Sequence, residues 1–373
     1  MIGHDHLGPE KLIEVYDSKT GMHGFLVIDN TWLGVAKGGL RITPTVTQEE
    51  VFHLARTMTY KNALAQLPFG GGKSGVIANV KKISFEKKLE LVRSFSRAIK
   101  DLCPAIYVAG PDVNTGEREM AEFVKANGSL KSATGKPADM CVKPGVECGI
   151  PHEFGSTGFG VVQATLVSIA ALGKSIKDLK VAVAGFGNVG TFVVGLLNKE
   201  GAKVVAISDS EGTTYNPTGL NIHKVFDTKK EKGSVAANPD GENLPSDDIY
   251  TLPVDILIPA ALGSVVTDKN VEGVKAKIII EAANIAIRPD AELVLHKKGV
   301  LVVPDIVANA GGVISSYAEY RGYNPKKMFK LVERKIKRNV KIVLDKSKRE
   351  DITPREAALK IAIERLNRSK PRR

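Results

Sequence analysis

From residue 180 onward the chain alternates short, near-continuous apolar segments with stretches long enough to hold a crossover helix. The segments are Val181–Ala184, Val204–Ile207, Ile256–Ile258, Ile278–Ile280 and Val300–Val303. A segment that is apolar on both faces has to be covered on both, which is the condition of a parallel sheet with helices on either side. The first segment runs directly into Gly185-Phe186-Gly187-Asn188-Val189-Gly190, which opens a helix through Leu197, and the second ends at Asp209, 19 residues past Gly190. A lone G-x-G-x-x-G is a weak signal. Placed between strand and helix, with a carboxylate closing the next strand, it is the full dinucleotide-binding pattern of a Rossmann unit. Gly185 permits the tight turn, Gly187 lets a pyrophosphate approach, and Gly190 packs helix against strand. Asn188 and Val189 begin a helix whose free N–H groups and dipole favour phosphate. Asp209 is placed to accept from adenosine ribose hydroxyls, which favours NAD. Ser208 and Ser210 flank it as donors to a 2′-phosphate, so the cofactor is NAD or NADP, with the balance toward NAD.

The first half mixes short strands with helices. Phe25–Ile28 reads as a strand, Thr47 caps a helix from Gln48 with Glu50 completing a capping box, and a further helix spans 85–100. Ile106 to Asp112 reads as a strand followed by a turn that leaves a carboxylate at the strand's end. Gly70-Gly71-Gly72-Lys73-Ser74 reads as a glycine loop closing the helix that carries Lys61. Glycines let backbone approach a ligand without side-chain clash. Two lysines in one pocket disfavour each other's charge, so one is expected to have a lowered pKa. Such a pair suits holding a carboxylate and moving protons beside it; a glycine turn with a solvated lysine is the plainer alternative. A nucleoside-triphosphate loop fits poorly, because its first glycine falls on Leu67 and a helix, not a strand, precedes the run.

The stretch from Cys141 to Ser156 is rich in Gly and Pro, and the domain join is placed there. The expected organisation is therefore two-domain α/β. Residues 1–152 form a substrate-binding and catalytic domain, with the C-terminal helices of 330–373 packing back on it. Residues 153–329 form the doubly wound dinucleotide domain. A length of 373 residues accommodates two such cores. No run of about eighteen apolar residues is present, so no membrane association is expected and the protein is read as cytoplasmic. The net charge of +12 is concentrated at the end: from Lys326 onward there are 18 Lys and Arg against 6 Asp and Glu. Phe329, Val332, Ile336, Val340 and Val343 recur there at helical spacing, so the surplus reads as the solvated face of helices and not as a nucleic-acid surface. Cys103, Cys141 and Cys148 match no metal or redox spacing and read as reduced thiols. His4 and His6 around Asp5 read as a frayed end, and no metal site is expected.

The first half also carries Gly38-Gly39-Leu40-Arg41, Met58-Thr59-Tyr60-Lys61-Asn62 and Pro111-Asp112-Val113 around the glycine run. The second carries Ile258-Pro259-Ala260-Ala261, Glu281-Ala282-Ala283-Asn284, Pro304-Asp305, Asn309-Ala310-Gly311-Gly312-Val313 and Arg355-Glu356-Ala357-Ala358. In this order, over nearly the whole chain, these segments resemble the Glu/Leu/Phe/Val amino-acid dehydrogenase family. The resemblance implies reversible NAD(P)-dependent oxidative deamination of an L-amino acid to a 2-oxo acid and ammonia, in a homo-oligomer, hexamer first. It implies that Lys61 holds the α-carboxylate, that Lys73 is the catalytic lysine with a lowered pKa, and that Asp112 is the catalytic acid. By the same resemblance Thr157 would lie by the nicotinamide, Ala260 and Asn284 would belong to the cofactor site, and Asn309 would serve cofactor and substrate. Structural alternatives stay open: Thr157 as a helix cap, Asp112 as a turn cap, and Asn284 and Asn309 as backbone ligands.

Lys37 decides the substrate expectation. In this family the glutamate enzymes carry a lysine here for the side-chain carboxylate, where the leucine, valine and phenylalanine enzymes carry an apolar residue. Ser316 matches a second contact to that carboxylate. The segments Val15–Gly21 and Ile28–Thr31 look more like the leucine and phenylalanine branch, and Glu153-Phe154-Gly155-Ser156 replaces an arginine common in glutamate enzymes. Glutamate is the expected substrate, and leucine, another branched-chain amino acid or phenylalanine the alternative. A non-catalytic dinucleotide-binding regulator is the remote one.

Overall fold

A computed structural model describes residues 2–142, 148–151 and 154–371. The chain divides into two units. One comprises Met1–Phe154, Val313–Leu331 and Ile361–Arg373; the other comprises Gly155–Gly312 and Val332–Lys360.

The first unit contains strands β1 (Lys11–Asp17), β2 (Met22–Asn30), β3 (Ala36–Lys37) and β4 (Leu40–Thr43), helix α1 (Gln48–Leu64), β5 (Gly70–Ile77), α2 (Phe85–Ala98), β6 (Tyr107–Val108) and α3 (Glu117–Asn127). Its sheet runs β1-β2-β5-β3-β6, with β4 also pairing β5. β5 is antiparallel to β2 and parallel to β3 and β4. The glycine run is thus a buried strand and not a loop. The reason is space. A Cβ on Gly71 would lie 1.9 Å from Thr59 Oγ1 and 2.4 Å from Thr59 N of α1, and one on Gly70 would lie 1.9 Å from Asn30 O. Helix and strand therefore touch backbone to backbone, which no side chain would permit. Thr47 caps α1 by accepting from Glu50 N at 3.1 Å, but Glu50 turns its carboxylate to Arg41 instead of closing the box. Gly71→Ala is expected to lower stability by about 2–3 kcal/mol, the usual cost of overpacking. Gly3→Ala, where nothing lies within 4 Å, serves as the unchanged control in urea titration; equal midpoints for the two variants would disprove the close contact.

The second unit contains α4 (Ser156–Ala171), β7 (Lys180–Ala184), α5 (Asn188–Lys199), β8 (Lys203–Asp209), β9 (Gly212–Tyr215), α6 (Ile222–Lys232), β10 (Glu242–Leu244), β11 (Ile256–Pro259), β12 (Ile278–Ile280), α7 (Pro289–Lys297), β13 (Leu301–Val303) and the short α8 (Asp305–Ala308). The sheet order is β10-β9-β8-β7-β11-β12-β13. β8, β7, β11, β12 and β13 are parallel, as their two-sided apolar character requires. Val205, Ala206, Leu257, Ile279 and Val302 lie in its core. β9 and β10 extend the edge antiparallel. They carry polar residues and gave no apolar signal.

Helices α9 (Gly311–Tyr320), α10 (Pro325–Glu350) and α11 (Pro354–Arg368) follow. The expected division differs here in two places. Val313–Leu331 groups with the first unit, where Phe69 stacks edge-on with Tyr317 and Tyr320 of α9. Of the C-terminal segment, Val332–Lys360 groups with the second unit and only Ile361–Arg373 with the first; there Arg365 donates to the Ala63 carbonyl at 3.2 Å. The expected boundary at 152 and 153, with the Glu153 substitution, lies outside the described residues. On α10, Val332, Ile336, Val340 and Val343 are buried and Phe329 half-buried, while Lys326, Lys327, Lys330, Lys337 and Lys341 are exposed, so the basic surplus does occupy a solvated face.

Two smaller expectations are corrected. Cys141 and Cys148 form a disulfide, which an odd cysteine count had hidden; the free cysteine is Cys103, whose thiol burial pushes up to about 12. The N-terminal segment is tied down from Asp5, which pairs with Arg56 at 2.6 Å and accepts from Leu7 N. Among the described residues no helix is long and apolar enough to cross a membrane.

Candidate functional site

In the first unit, Lys37 ends β3, Lys73 lies on β5, Lys61 on α1, and Asp112 follows β6. Parallel pairing sets Lys37 beside Gly71 and Val108. The strand edge is broken at Gly38-Gly39, and this break makes room for the chemistry. A Cβ on Gly38 would lie 1.6 Å from the Gly72 carbonyl O, and one on Gly39 would lie 2.7 Å from Asp112 Cβ and 3.3 Å from Lys73 Nζ. Across that gap Lys73 Nζ pairs with Asp112 Oδ2 at 3.0 Å. Arg41 Nε donates to the same oxygen at 2.9 Å. Burial works to raise the Asp112 pKa, but Lys73 and then Arg41 outweigh it and hold the carboxyl below its usual range. Asp112 therefore stands as a carboxylate at neutral pH, ready to take a proton before it can give one.

Lys61 and Lys73 are both buried. A third lysine, Lys37, is buried in the same unit. Lys37 is 3% exposed; burial brings its pKa down to about 7, and Lys73 and Lys136 push the same way against Glu319. Its ammonium donates to the Ala109 carbonyl at 2.9 Å. Gly110 is a glycine because a Cβ there would come within 2.5 Å of that ammonium. A buried cation with a single backbone acceptor is a poor use of a lysine in a core. Ser316 is half-buried on α9 within the same unit.

In the second unit the end of β7 and the start of α5 form a cradle. Gly185 has φ +113, and a Cβ on it would strike Ala261; a Cβ on Gly190 would lie 1.8 Å from the Gly185 carbonyl O and 3.7 Å from Ala260 Cβ. Nothing lies within 4 Å of the corresponding point on Gly187, which is exposed along with Asn188. Gly187 caps α5 without a side-chain bond. The helix N-terminus is thus open to solvent with its N–H groups free of side-chain caps, a fit for a phosphate. Val189 lies next to α4, since a Cβ on Gly158 would meet the Val189 carbonyl at 3.0 Å; Thr157, its neighbour, abuts Gly312. The α4 cap is Gly155, so Thr157 is not the helix cap.

Two sequence profiles match this chain. One, described as Glu/Leu/Phe/Val dehydrogenase, dimerisation domain, covers residues 9–127; the other, described as Glutamate/Leucine/Phenylalanine/Valine dehydrogenase, covers residues 148–373. The chain belongs to the Glu/Leu/Phe/Val dehydrogenase family. It is 39% identical over 358 residues to the glutamate dehydrogenase of Aeropyrum pernix, covering 91% of this chain and 84% of that one. It is 36% identical over 326 residues to the NADP-specific glutamate dehydrogenase of Saccharolobus shibatae, covering 84% and 75%. Among solved structures, the hetero-hexameric glutamate dehydrogenase from Thermus thermophilus in a Leu-bound form superposes with a TM-score of 0.86 at 28% identity, over 97% of this chain and 89% of that one.

In this dehydrogenase the carboxylate expected to read the ribose is already engaged. Asp209 accepts from Lys229 Nζ at 2.8 Å, Val235 N at 2.8 Å, Ser234 Oγ at 3.0 Å and Glu211 N at 3.0 Å. Burial would raise its pKa, but Lys229 and the other donors win and hold it low. Four donors fill about the four acceptor positions a carboxylate has. Asn309 Nδ2 donates to Asn284 Oδ1 at 3.0 Å and to the Ala282 carbonyl at 3.1 Å. The two asparagines are thus joined, Asn284 exposed and Asn309 buried.

Behind them lies a buried charge cluster that the sequence reading quoted without a role. Arg355 contacts Glu281, Glu292 at 2.5 Å and Asp305 at 2.8 Å, all three carboxylates being almost fully buried. Glu281 also accepts from Ile287 N and Asp305 N, and Asp305 from Ile285 N, so the cluster fixes the loop that carries Asn284. Arg41 was likewise quoted but given no task. Its signal was position: two residues after Gly39 it returns to the same face of the strand.

Proposed function

We propose that the chain catalyses reversible oxidative deamination of L-glutamate to 2-oxoglutarate and ammonia. The observation that carries the choice of glutamate is Lys37: a buried ammonium beside Gly110, bonded to one carbonyl, reads as the receptor of a second carboxylate. An apolar substrate would leave that charge unpaired, which a desolvated site penalises heavily. Lys61 holds the α-carboxylate, and Ser316 and Asn309 line the substrate. A bound nicotinamide supplies the hydride acceptor. Asp112, as a carboxylate, takes a proton from the α-ammonium, and Lys73 at 3.0 Å passes protons between it and the water that attacks Cα. Gly185, Gly187, Asn188, Val189 and Gly190 hold the pyrophosphate, with Ala260, Thr157, Asn284 and Asn309 around the rest of the dinucleotide.

On cofactor preference the occupied acceptors of Asp209 give no support to the lean toward NAD. With its acceptor sites filled and Lys229 paired to it, the carboxylate neither offers a ready acceptor to a 2′-hydroxyl nor presents a bare charge to a 2′-phosphate. We read the site as serving NAD or NADP. The reaction draws on the nicotinamide dinucleotide pool, so the location proposed is cytoplasmic, in a homo-oligomer with a hexamer first. No nucleic-acid or membrane partner is needed.

The test is Lys37→Leu. It is expected to lower kcat/KM for glutamate about a hundredfold, as loss of a buried ion pair does, while turnover of norvaline or leucine holds or rises. Equal effects on glutamate and norvaline would remove Lys37 from substrate recognition. The wild-type kcat/KM for 2-oxoglutarate should decline above a pH of about 7, where free Lys37 loses its proton.

A further inference from the structure

Glu319 lies one helical turn after Ser316 on α9, so the two share a side of the helix. It is 1% exposed, and its carboxylate accepts from Gly135 N at 2.6 Å, Lys136 N at 3.3 Å and Lys136 Nζ at 2.6 Å. Burial pushes the Glu319 carboxyl up, and Lys136 with the converging backbone donors works against that rise. The turn it pins is built onto the end of β6. Ala109 N donates to the Ser132 carbonyl at 2.9 Å, and Thr134 N to the Ala109 carbonyl at 3.0 Å. Gly135 sits so close that a Cβ there would lie 2.5 Å from Pro111 Cδ. The Ala109 carbonyl is also the acceptor of Lys37 Nζ. A carboxylate on α9 thus fixes the turn, the turn fixes Ala109, and Ala109 fixes Lys37.

We propose that Glu319, clamped to Lys136, is a positioning residue that sets the register and charge of Lys37 and thereby the preference for a substrate with a second carboxylate. It touches no substrate, and the role rests on the reading of Lys37 given above. The electrostatics agree. Lys73 on β5 and Lys136 in the turn both oppose a charge on Lys37, and Glu319 supports it.

The test compares wild type, E319Q, E319D, K37L and K37L/E319Q in reductive amination of 2-oxoglutarate and of 2-oxovalerate, which has the same length without the terminal carboxylate. E319Q is expected to lose about tenfold in kcat/KM for 2-oxoglutarate, chiefly through KM, and less than about twofold for 2-oxovalerate. The pH above which 2-oxoglutarate activity declines moves down, because Lys37 has lost its supporting anion. In the K37L background E319Q changes neither substrate further. E319D keeps the charge but withdraws it by one methylene; it raises KM for 2-oxoglutarate alone and keeps the pH limb, which decides the matter should E319Q not fold. Equal losses on both substrates, or an unmoved limb in E319Q, overturn the proposal. A wild type that treats the two oxo acids alike overturns the reading of Lys37 itself, and this one with it.

Discussion

Asp112→Asn is expected to lower kcat by about 10³-fold or more, at the upper part of what general acid–base groups contribute, while dinucleotide affinity stays within about twofold. The isosteric amide keeps the shape of the side chain but offers one acceptor where the carboxylate offers two. Lys73 at 3.0 Å and Arg41 at 2.9 Å both contact the same carboxylate oxygen, so the amide carbonyl keeps an acceptor toward them but carries no charge to offset theirs and takes no proton. Lys73 is then left without a carboxylate with which to exchange a proton. Because Lys73 and Arg41 already hold Asp112 below the usual carboxylate range, the wild-type enzyme should show no acidic limb from this group near neutrality. Single-turnover rates, with cofactor binding measured separately by fluorescence, check both halves. A variant that keeps the wild-type rate would exclude Asp112 from proton transfer.

Arg355→Met should destabilise the protein by about 3–5 kcal/mol, the cost of leaving buried charges without their counter-ion. Here one guanidinium serves three carboxylates. Burial pushes Glu281 up to about 8 even with Arg355 present, and neighbouring Asp305 and Glu292 add to the rise. The sign of the pH dependence follows. The folded-state pKa of Glu281 lies above its unfolded value, so the native state binds the extra proton. The associated stability is complete below the unfolded pKa of about 4.5 and is lost as pH rises toward about 8. Arg355→Lys should recover only part of the loss, since one ammonium cannot span the three positions a planar fork reaches. Urea midpoints at one protein concentration, taken at mildly acidic and mildly alkaline pH, measure this. A midpoint unchanged in Arg355→Met would show that the carboxylates are neutralised by other means.

Much of this was legible in the chain. The five parallel strands and the cradle at Gly185–Gly190 announced themselves because two-sided burial and close backbone approach constrain composition strongly. The glycine run misled for an instructive reason. Gly70–Gly72 reads as a loop when glycine is taken as a source of flexibility, yet its service here is thinness, which only the neighbours Thr59 and Asn30 reveal. The lysine pairing was legible in kind but not in partner. Spacing along the chain drew Lys61 and Lys73 together, but it could not show the surroundings of Lys37, which come from β5, α9 and the turn at Lys136 and bring its pKa down. Asp209 was found at its strand end, but nothing in the sequence tells that Lys229, Ser234 and the Val235 amide fold around it. The disulfide was invisible to counting, because parity says nothing about which two of three cysteines meet.

The bare strand Gly70–Gly72 also bears on how such a catalyst can change. Its peptide planes are wedged between α1 and β3, so the platform carrying Lys73 admits hardly any drift in sequence. Lys37, at the end of β3, pairs with Gly71 and is itself part of that wedge. A larger residue at Gly70 or Gly71 would have to displace the backbone of the end of β2 or of α1, so the seat of Lys73 is set by the thinness of the residues before it.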